Sequence, residues 1–259
     1  MPEKDSADFD RTLTLLWRDT LGGRTGTRGP KQRSSVDSIV LTAIEIADED
    51  GLGALSMRRV AEQQGLKVMG LYTYVAGKDE LVALMVDQVA GENPLPEYPE
   101  DLRSRLETMA RMIWEEVRAH PWLLQVQTAR PVIGPHLAAR YEWQVAALEG
   151  QGLTDIEMDQ VVTLVTGFAH SAARAAVAQW QELDRSGITD AQWWEINAPI
   201  LERLMPAERY PISGRVGLAA GEQYNAASDP AFSFEFGLQR ILDGVEKLIE
   251  NSRTRSLSN

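Results

Sequence analysis

The residues best suited to chemistry lie between positions 55 and 81, in the run LSMRRVAEQQGLKVMGLYTYVAGKDEL. Ser56 opens one short helical pattern and Val68 another, and Gly65-Leu66-Lys67 between them permits a tight turn, the spacing of a helix-turn-helix. In that arrangement the first helix braces on phosphates and the second, Val68 to Val75, enters the major groove of DNA. Tyr72, Thr73 and Tyr74 supply hydroxyls and aromatic surface, while Met69 and Gly70 allow close approach. Lys78 begins the next helix, where its ammonium can meet a phosphate. The same spacing also suits a purely structural three-helix unit, with Leu71, Val75 and part of Tyr72 in its core. Upstream, residues 24–36 (RTGTRGPKQRSSV) carry Arg24, Arg28, Lys31 and Arg33 and no acid, which fits either a minor-groove arm or a solvated linker.

Catalytic chemistry finds little to work with. The chain has 259 residues and no cysteine, which removes thiolate zinc sites, iron–sulfur clusters, disulfides and cysteine nucleophiles. Its three histidines, His120, His136 and His170, do not form a metal-ligand spacing, so no metal and no cofactor are expected. A Gly-rich phosphate loop and a nucleophile elbow are missing, and the adjacent acids Glu115-Glu116 suit a solvated face. An enzyme is not expected. The net charge of −12 argues against nucleic acid only as a sum: the first 80 residues are nearly balanced, with 11 basic against 13 acidic side chains.

The elements that must position these residues are helical. Ser34, with Asp37 three residues on, is predicted to cap a helix ending at Gly51, with Val36, Ile39, Val40, Ala43, Ile44 and Ala47 on its inner face. Further helices are expected over Ser56 to Gln64, Met69 to Val75, Lys78 to Val89, Leu102 to Ala119 and Pro135 to Leu148, then Asp155 to Arg185, Thr189 to Met205 (kinked at Pro199), and a last one bearing Phe234, Leu238, Ile241, Leu242, Val245, Leu248 and Ile249. Residues 206–230, with three prolines and three glycines, read as irregular. The expectation is an all-α protein of nine or ten helices: residues 1–33 a basic extension, 34–92 a three-helix helix-turn-helix DNA-binding domain, and 93–259 a larger helical domain. Residues 11–18 (RTLTLLWR) are expected to pack on protein. No apolar run approaches a bilayer span and the acidic N-terminus lacks a signal-like apolar stretch, so a cytoplasmic protein without a membrane partner is expected.

Here the resemblance becomes specific. Residues 36–89, with ADEDGLGALS, ALSMRRVAEQQGL and GLYTYVAGKDEL, resemble the N-terminal domain of the TetR family of transcriptional regulators, and AHPWLLQVQTARP, GFAH and FEFGLQRILDGVEKL resemble the regulatory domain of its tetracycline-repressor subclass. The resemblance implies that Ser56, Met57 and Arg58 meet DNA from the first helix of the motif. It implies further that Lys67, Val68, Met69, Gly70, Tyr72, Thr73 and Tyr74 form the recognition segment, and that Lys78 is the phosphate-binding lysine. Val68, Met69 and Gly70 offer few hydrogen bonds to base edges, so specificity is expected to lean on Lys67, Thr73, thymine methyls or DNA shape. Gly70 costs a helix about 1 kcal/mol relative to alanine, which fits close approach or simple tolerance.

The resemblance also implies a small-molecule effector held in a helical pocket and a homodimer joined through a four-helix bundle. Arg130-Pro131 matches a pocket-lining pair of the subclass; Trp114, Trp143, Phe168 and His170 are pocket candidates by helix face. Ala172, Ala173 and Ala176 would let another helix come close, and the last helix has more apolar surface than one face needs. The expected protein is a ligand-responsive repressor that binds a palindromic double-stranded operator as a dimer and is released by a small hydrophobic effector. An activator of the same fold, or a small-molecule-binding module without DNA binding, remains the alternative.

Overall fold

A computed structural model describes residues 3–22, 34–126 and 132–257, with side chains over 9–22, 34–126 and 132–254. Among them are eleven α-helices, two 3-10 turns and no strand. They are α1 (Glu3–Leu16), α2 (Val36–Asp50), α3 (Met57–Gln63), α4 (Val68–Leu71), α5 (Lys78–Ala90), α6 (Leu102–Ala119), α7 (Pro135–Ala146), α8 (Asp155–Ser186), α9 (Asp190–Leu204), α10 (Pro211–Tyr224) and α11 (Pro230–Leu257).

Two hydrophobic cores organise the chain. The first gathers Ile39, Val40, Ala43, Ile44 and Ala47 of α2, Val60 and Ala61 of α3, Leu71, Val75, and Leu81, Leu84, Met85 and Val89 of α5. Leu16 of α1 closes one side of it, and Trp122 enters from the 3-10 turn Pro121–Gln125. The second is built by Leu106, Met109, Ala110 and Trp114 of α6, Val161, Val165, Ala169 and Ala173 of α8, and Phe234, Leu238, Leu242 and Val245 of α11. The most apolar 18-residue window of α8 reaches a mean hydropathy of 1.3, so by length and composition alone this helix could cross a bilayer, although Asp159 and Arg174 interrupt its apolar run. Its apolar residues are explained by α6 and α11, against which Val161, Val165, Ala169 and Ala173 are buried.

Helix ends explain the departures from periodicity. The cap of α2 is Ser35, one residue later than predicted, in a capping box with Ser38. Ser34 is not free to cap, because its Oγ bonds Gln64 Oε1 at 2.5 Å. The recognition segment is a single α-turn, Val68–Leu71, where helix was expected to Val75. Beyond it the backbone tightens into i→i−3 bonds, Thr73 N to Gly70 O and Tyr74 N to Leu71 O, and Thr73 Oγ1 donates to Gly70 O at 2.7 Å. The irregular stretch predicted at 206–230 contains α10. Pro211 is at its first turn, where a missing N–H costs nothing, and Asn225 ends it in a left-handed conformation at φ 50°. Gly221 is there for proximity: a Cβ would lie 2.0 Å from Trp194 of α9. Helix α9 continues through Pro199.

The two cores are joined by polar contacts. Arg140 of α7 donates to Glu116 Oε1 of α6 at 2.9 Å and to the carbonyl of Ala90, at the end of α5, at 2.9 Å. His120 ends α6, as expected, and bridges Asp48 of α2 through Nδ1 at 2.8 Å and Glu92 through Nε2 at 3.0 Å. Trp17, just after α1, donates to the carbonyl of Ile133 at 3.0 Å. Residues 11–18 therefore pack on the protein, as their apolar spacing predicts.

Candidate functional site

Helix α3 begins at Ser56, whose Oγ accepts the N–H of Arg59 at 3.2 Å. This is an N-cap, and it leaves the residue exposed at the entrance to the motif. Arg58 points outward and pairs with Glu62 at 2.8 Å one turn on. Met57 departs from expectation: it is only 9% exposed and belongs to the N-terminal core, so it packs the motif rather than facing outward. The turn relies on Gly65 at φ 65°, in the left-handed region that glycine occupies without cost.

Lys67 is the N-cap residue of α4 and is exposed, as are Val68, Met69, Tyr72 and Thr73. Met69 is 77% exposed, far more than a methionine with a packing role. Gly70 has no heavy atom within 4 Å of where a Cβ would sit, so within the protein an alanine would fit there. Tyr74 is half-buried against the core, and Leu71 and Val75 are fully buried, as predicted. Lys78 is partly withdrawn: its Nζ donates to the carbonyl of Leu52 at 2.9 Å and tethers α5 to the 3-10 turn Leu52–Ala54. Ser56, Arg58, Lys67, Val68, Met69, Tyr72 and Thr73 thus make an exposed surface rigidly seated on a buried core. Arg24, Arg28, Lys31 and Arg33 lie outside the described residues.

A cleft of about 740 Å³ opens in the second half of the molecule. Its walls come from Trp114 and Arg118 of α6, Ala176, Val177, Trp180 and Leu183 of α8, Asp190 at the start of α9, Asp229 before α11, and Asp48 from α2. Trp114 stacks on Phe234 at 4.4 Å, Phe234 stacks on Phe168 at 6.0 Å, and the Arg118 guanidinium sits 5.7 Å from the Trp114 ring. That size, with Trp114 and Trp180 in the walls beside charged groups such as Arg118 and Asp190, suits a small-molecule site that pairs apolar surface with polar groups to orient a ligand.

Of the predicted pocket residues, Trp114 lines this cleft. Phe168 stands behind it in the aromatic stack, packed where a Cβ on Gly237 would come within 2.4 Å of its ring. Trp143 is elsewhere: it stacks on Tyr98 at 4.6 Å and donates to the carbonyl of Pro96 at 2.9 Å, which pins the connection between α5 and α6. His170 is not among the lining residues; burial foremost, and then the nearby Arg174, push its imidazole below the ordinary range against a raising effect of Glu116. Arg130 and Pro131 lie outside the described residues. Asp48, Arg118, Trp180, Asp190 and Asp229 escaped sequence reasoning, because separate helical regions contribute them and no local spacing links them.

A second groove, about 490 Å³ and largely apolar, runs between α8 and α11 and is lined by Ile156, Val161, Leu164, Ile241, Val245 and Leu248. Ile156 is 73% exposed and Leu164 50% exposed. Of the small residues expected to admit another helix, Ala173 is consumed by the protomer's own core and Ala172 and Ala176 are partly buried against it.

Residues 95–249 match the family described as tetracyclin repressor-like, C-terminal domain. The HTH-type transcriptional repressor DrrR1 of Streptomyces coeruleorubidus is 41% identical over 254 residues, covering 97% of this chain and 90% of that protein. An HTH-type transcriptional regulator of Saccharopolyspora erythraea is 28% identical over 183 residues, 69% of this chain and 75% of that protein. Among solved structures, ActR of Streptomyces coelicolor in complex with actinorhodin superposes with a TM-score of 0.68 at 27% identity, covering 85% of this chain and 99% of that one.

Proposed function

The chain belongs to the TetR family of transcriptional regulators, and on that premise we propose that it is a repressor which reads a palindromic operator as a homodimer and releases it when a small molecule fills the cleft. Members of this family are regulators rather than enzymes. In this reading residues 34–92 are the DNA-binding domain, residues 93–259 bind the effector and form the dimer, and residues 1–33 are an extension of the head. The protein works in the cytoplasm, where its operator is.

DNA is held by Ser56, Arg58, Lys67, Val68, Met69, Gly70, Tyr72, Thr73 and Tyr74, with Lys78 shared between a phosphate and Leu52 and with Arg24, Arg28, Lys31 and Arg33 as an arm. Val68 and Met69 suit thymine methyl groups, and Lys67 and Tyr72 suit phosphates or base edges. The exposed groove between α8 and α11 supports an isologous interface in which two copies of each helix form a four-helix bundle.

The observation that carries the ligand response is the position of Asp48. It belongs to α2, a core helix of the DNA-binding head, and it also lines the cleft. A molecule that fills the cleft therefore touches the head directly. If it binds better to a conformation in which the two heads are mis-spaced for the operator, the population shifts and DNA is released, and by linkage DNA weakens effector binding equally. ActR, crystallised with actinorhodin, supports a ligand-responsive reading for this relative.

The test is to incubate purified dimer with fragmented DNA of its source genome at physiological salt and sequence what is retained. Recovery of a few fragments sharing an inverted repeat is expected. Uniform weak recovery on ligand-stripped protein would leave a small-molecule-binding module instead.

A further inference from the structure

Helix α1 precedes the three-helix motif and is nevertheless built into it. Leu16 is buried in the head core, Leu15 and Trp17 pack against that core, and Arg18 pairs with Asp37 in the first turn of α2. Earlier in the helix, Arg11 Nε faces Glu80 Oε1 of α5 at 3.4 Å. Glu80 is only 7% exposed, which is rare for a carboxylate, while the Arg11 side chain is about half exposed. The other oxygen, Glu80 Oε2, accepts the N–H of Ala76. Local sequence explains this bond. Gly77 is the N-cap of α5 and has no side chain to hold the first turn, so the acid three residues on reaches back past it in the manner of a capping box. Ala76 directly follows Val75, the buried end of the recognition segment. The turn 76–78 is thereby held from two sides, by Glu80 on Ala76 and by Lys78 Nζ on the carbonyl of Leu52.

We infer that Arg11 and Glu80 are positioning residues for operator recognition, which makes α1 a working part of the DNA-reading head; the inference rests on the exposed surface of α3 and α4 reading DNA, as proposed above. A carboxylate withdrawn from water keeps its charge only beside a cation or enough donors. Arg11 supplies the cation and Ala76 a donor. Without Arg11 the Glu80 carboxylate turns toward water or takes up a proton, and either change weakens its hold on Ala76. The recognition segment is one α-turn followed by i→i−3 bonds, too short to keep its own direction. What aims Met69, Tyr72 and Thr73 is then the burial of Leu71 and Val75 and the clamp at the segment's end. Arg11 acts through Glu80 and not by neutralising a phosphate, which separates it from the basic cluster of Arg24, Arg28, Lys31 and Arg33.

Affinity of the full-length protein is measured by fluorescence anisotropy for a labelled duplex carrying the inverted repeat recovered from the source genome, and for one of the same composition with the repeat scrambled. In Arg11→Gln the ratio of the two affinities should fall about tenfold, the loss of one well-placed base contact, while the salt slope keeps its wild-type value. Arg11→Lys should restore most of the ratio. Glu80→Gln removes the need for a counter-charge but keeps an oxygen for Ala76, so adding Arg11→Gln to it should change nothing further. Glu80→Ala should lower the ratio whether or not Arg11 is present. Hydrogen exchange, which needs no DNA, should quicken at the Ala76 amide in Arg11→Gln, keep its wild-type rate in the core of α2, and recover in the Arg11→Gln/Glu80→Gln double variant. An unchanged ratio or unchanged Ala76 exchange in Arg11→Gln would overturn the inference and leave the repressor reading standing. So would a loss that persists in the Glu80→Gln background, which with a lower salt slope would make Arg11 a phosphate contact. Wild-type protein that retains no repeat from genomic DNA would overturn the repressor reading, and the inference with it.

Discussion

The carboxylate of Asp87 caps a helix that starts about 50 residues downstream of it: its Oδ1 accepts the N–H of Leu137 at 2.9 Å, inside the first turn of α7. The local N-cap, Gly134, has no side chain to do this, and Pro135 follows it at the first helical position. A Cβ on Gly134 would lie 2.3 Å from the Asp87 carboxyl carbon, so glycine there is a condition of the contact. His136 returns the bond, its Nδ1 donating to the Asp87 carbonyl at 3.1 Å. Helix α5 of the head and helix α7 of the regulatory half are fastened at this point.

Asp87→Ala should cost about 1–3 kcal/mol, the range of a missing cap plus an N–H left without its acceptor, read as a lower urea midpoint with an unchanged slope. Gly134→Ala should move the midpoint in the same direction while keeping the carboxylate. A wild-type midpoint in Asp87→Ala would show that water replaces the cap.

Stability should fall as pH rises through the titration of His120. Burial alone pushes this imidazole down, but hydrogen bonding and charge from Asp48, and then from Glu92, outweigh it and leave it above its ordinary value of 6.5. A raised pKa in the folded state means that the stabilisation is complete below 6.5 and disappears as pH passes the folded value. His120→Gln should flatten melting temperature against pH across that window. His170, depressed by burial and by Arg174, has the opposite sign and loses stability only as pH falls below 6.5. The two are therefore separable by which side of 6.5 responds.

Tyr72→Ala and Lys67→Ala should each weaken operator binding by about tenfold, within the roughly 1–3 kcal/mol of a base or phosphate contact, and leave the melting temperature unchanged because both side chains are exposed. Lys78→Ala should lower both quantities, since it also removes the bond to Leu52. An unchanged melting temperature for Lys78→Ala would detach that bond from stability.

Replacing Arg24, Arg28, Lys31 and Arg33 together by Gln should reduce the salt slope of operator affinity, by about 0.9 for each phosphate that the arm no longer neutralises. Deleting residues 1–33 is a poorer test, because it strips Leu16 from the head core and Trp17 from its bond to Ile133. An unchanged slope in the Gln variant would make the segment a linker.

Much of this was legible because local rules fix it. The bounds of α6 follow from the sequence alone, and Leu71 and Val75 are buried where their spacing demands. Helix α10 was hidden because Pro211 and its three glycines look like breakers until Pro211 is seen at the first turn and Gly221 against Trp194. The exposed set on α3 and α4 could be read nearly residue by residue, Met57 excepted, since a helix shorter than two turns gives too few positions to set its inner face. The cleft could not be read in this way. Asp48, Trp180 and Asp229 meet only through packing, and Trp143 and His170 were assigned by helix faces that do not line it.

Trp122 is 1% exposed and sits in the core of the head, although it follows α6 by three residues. The head is therefore not an interchangeable module that ends at the proline-rich run GENPLPEYP, residues 91–99. A chimaera that grafts residues 1–92 onto another relative's regulatory half inherits a hole where an indole should be, unless the new partner supplies a tryptophan at the same place. A successful graft must carry its keystone from the far side of the cut, and over evolutionary time that requirement ties the DNA sequence a repressor reads to the effector domain it was paired with.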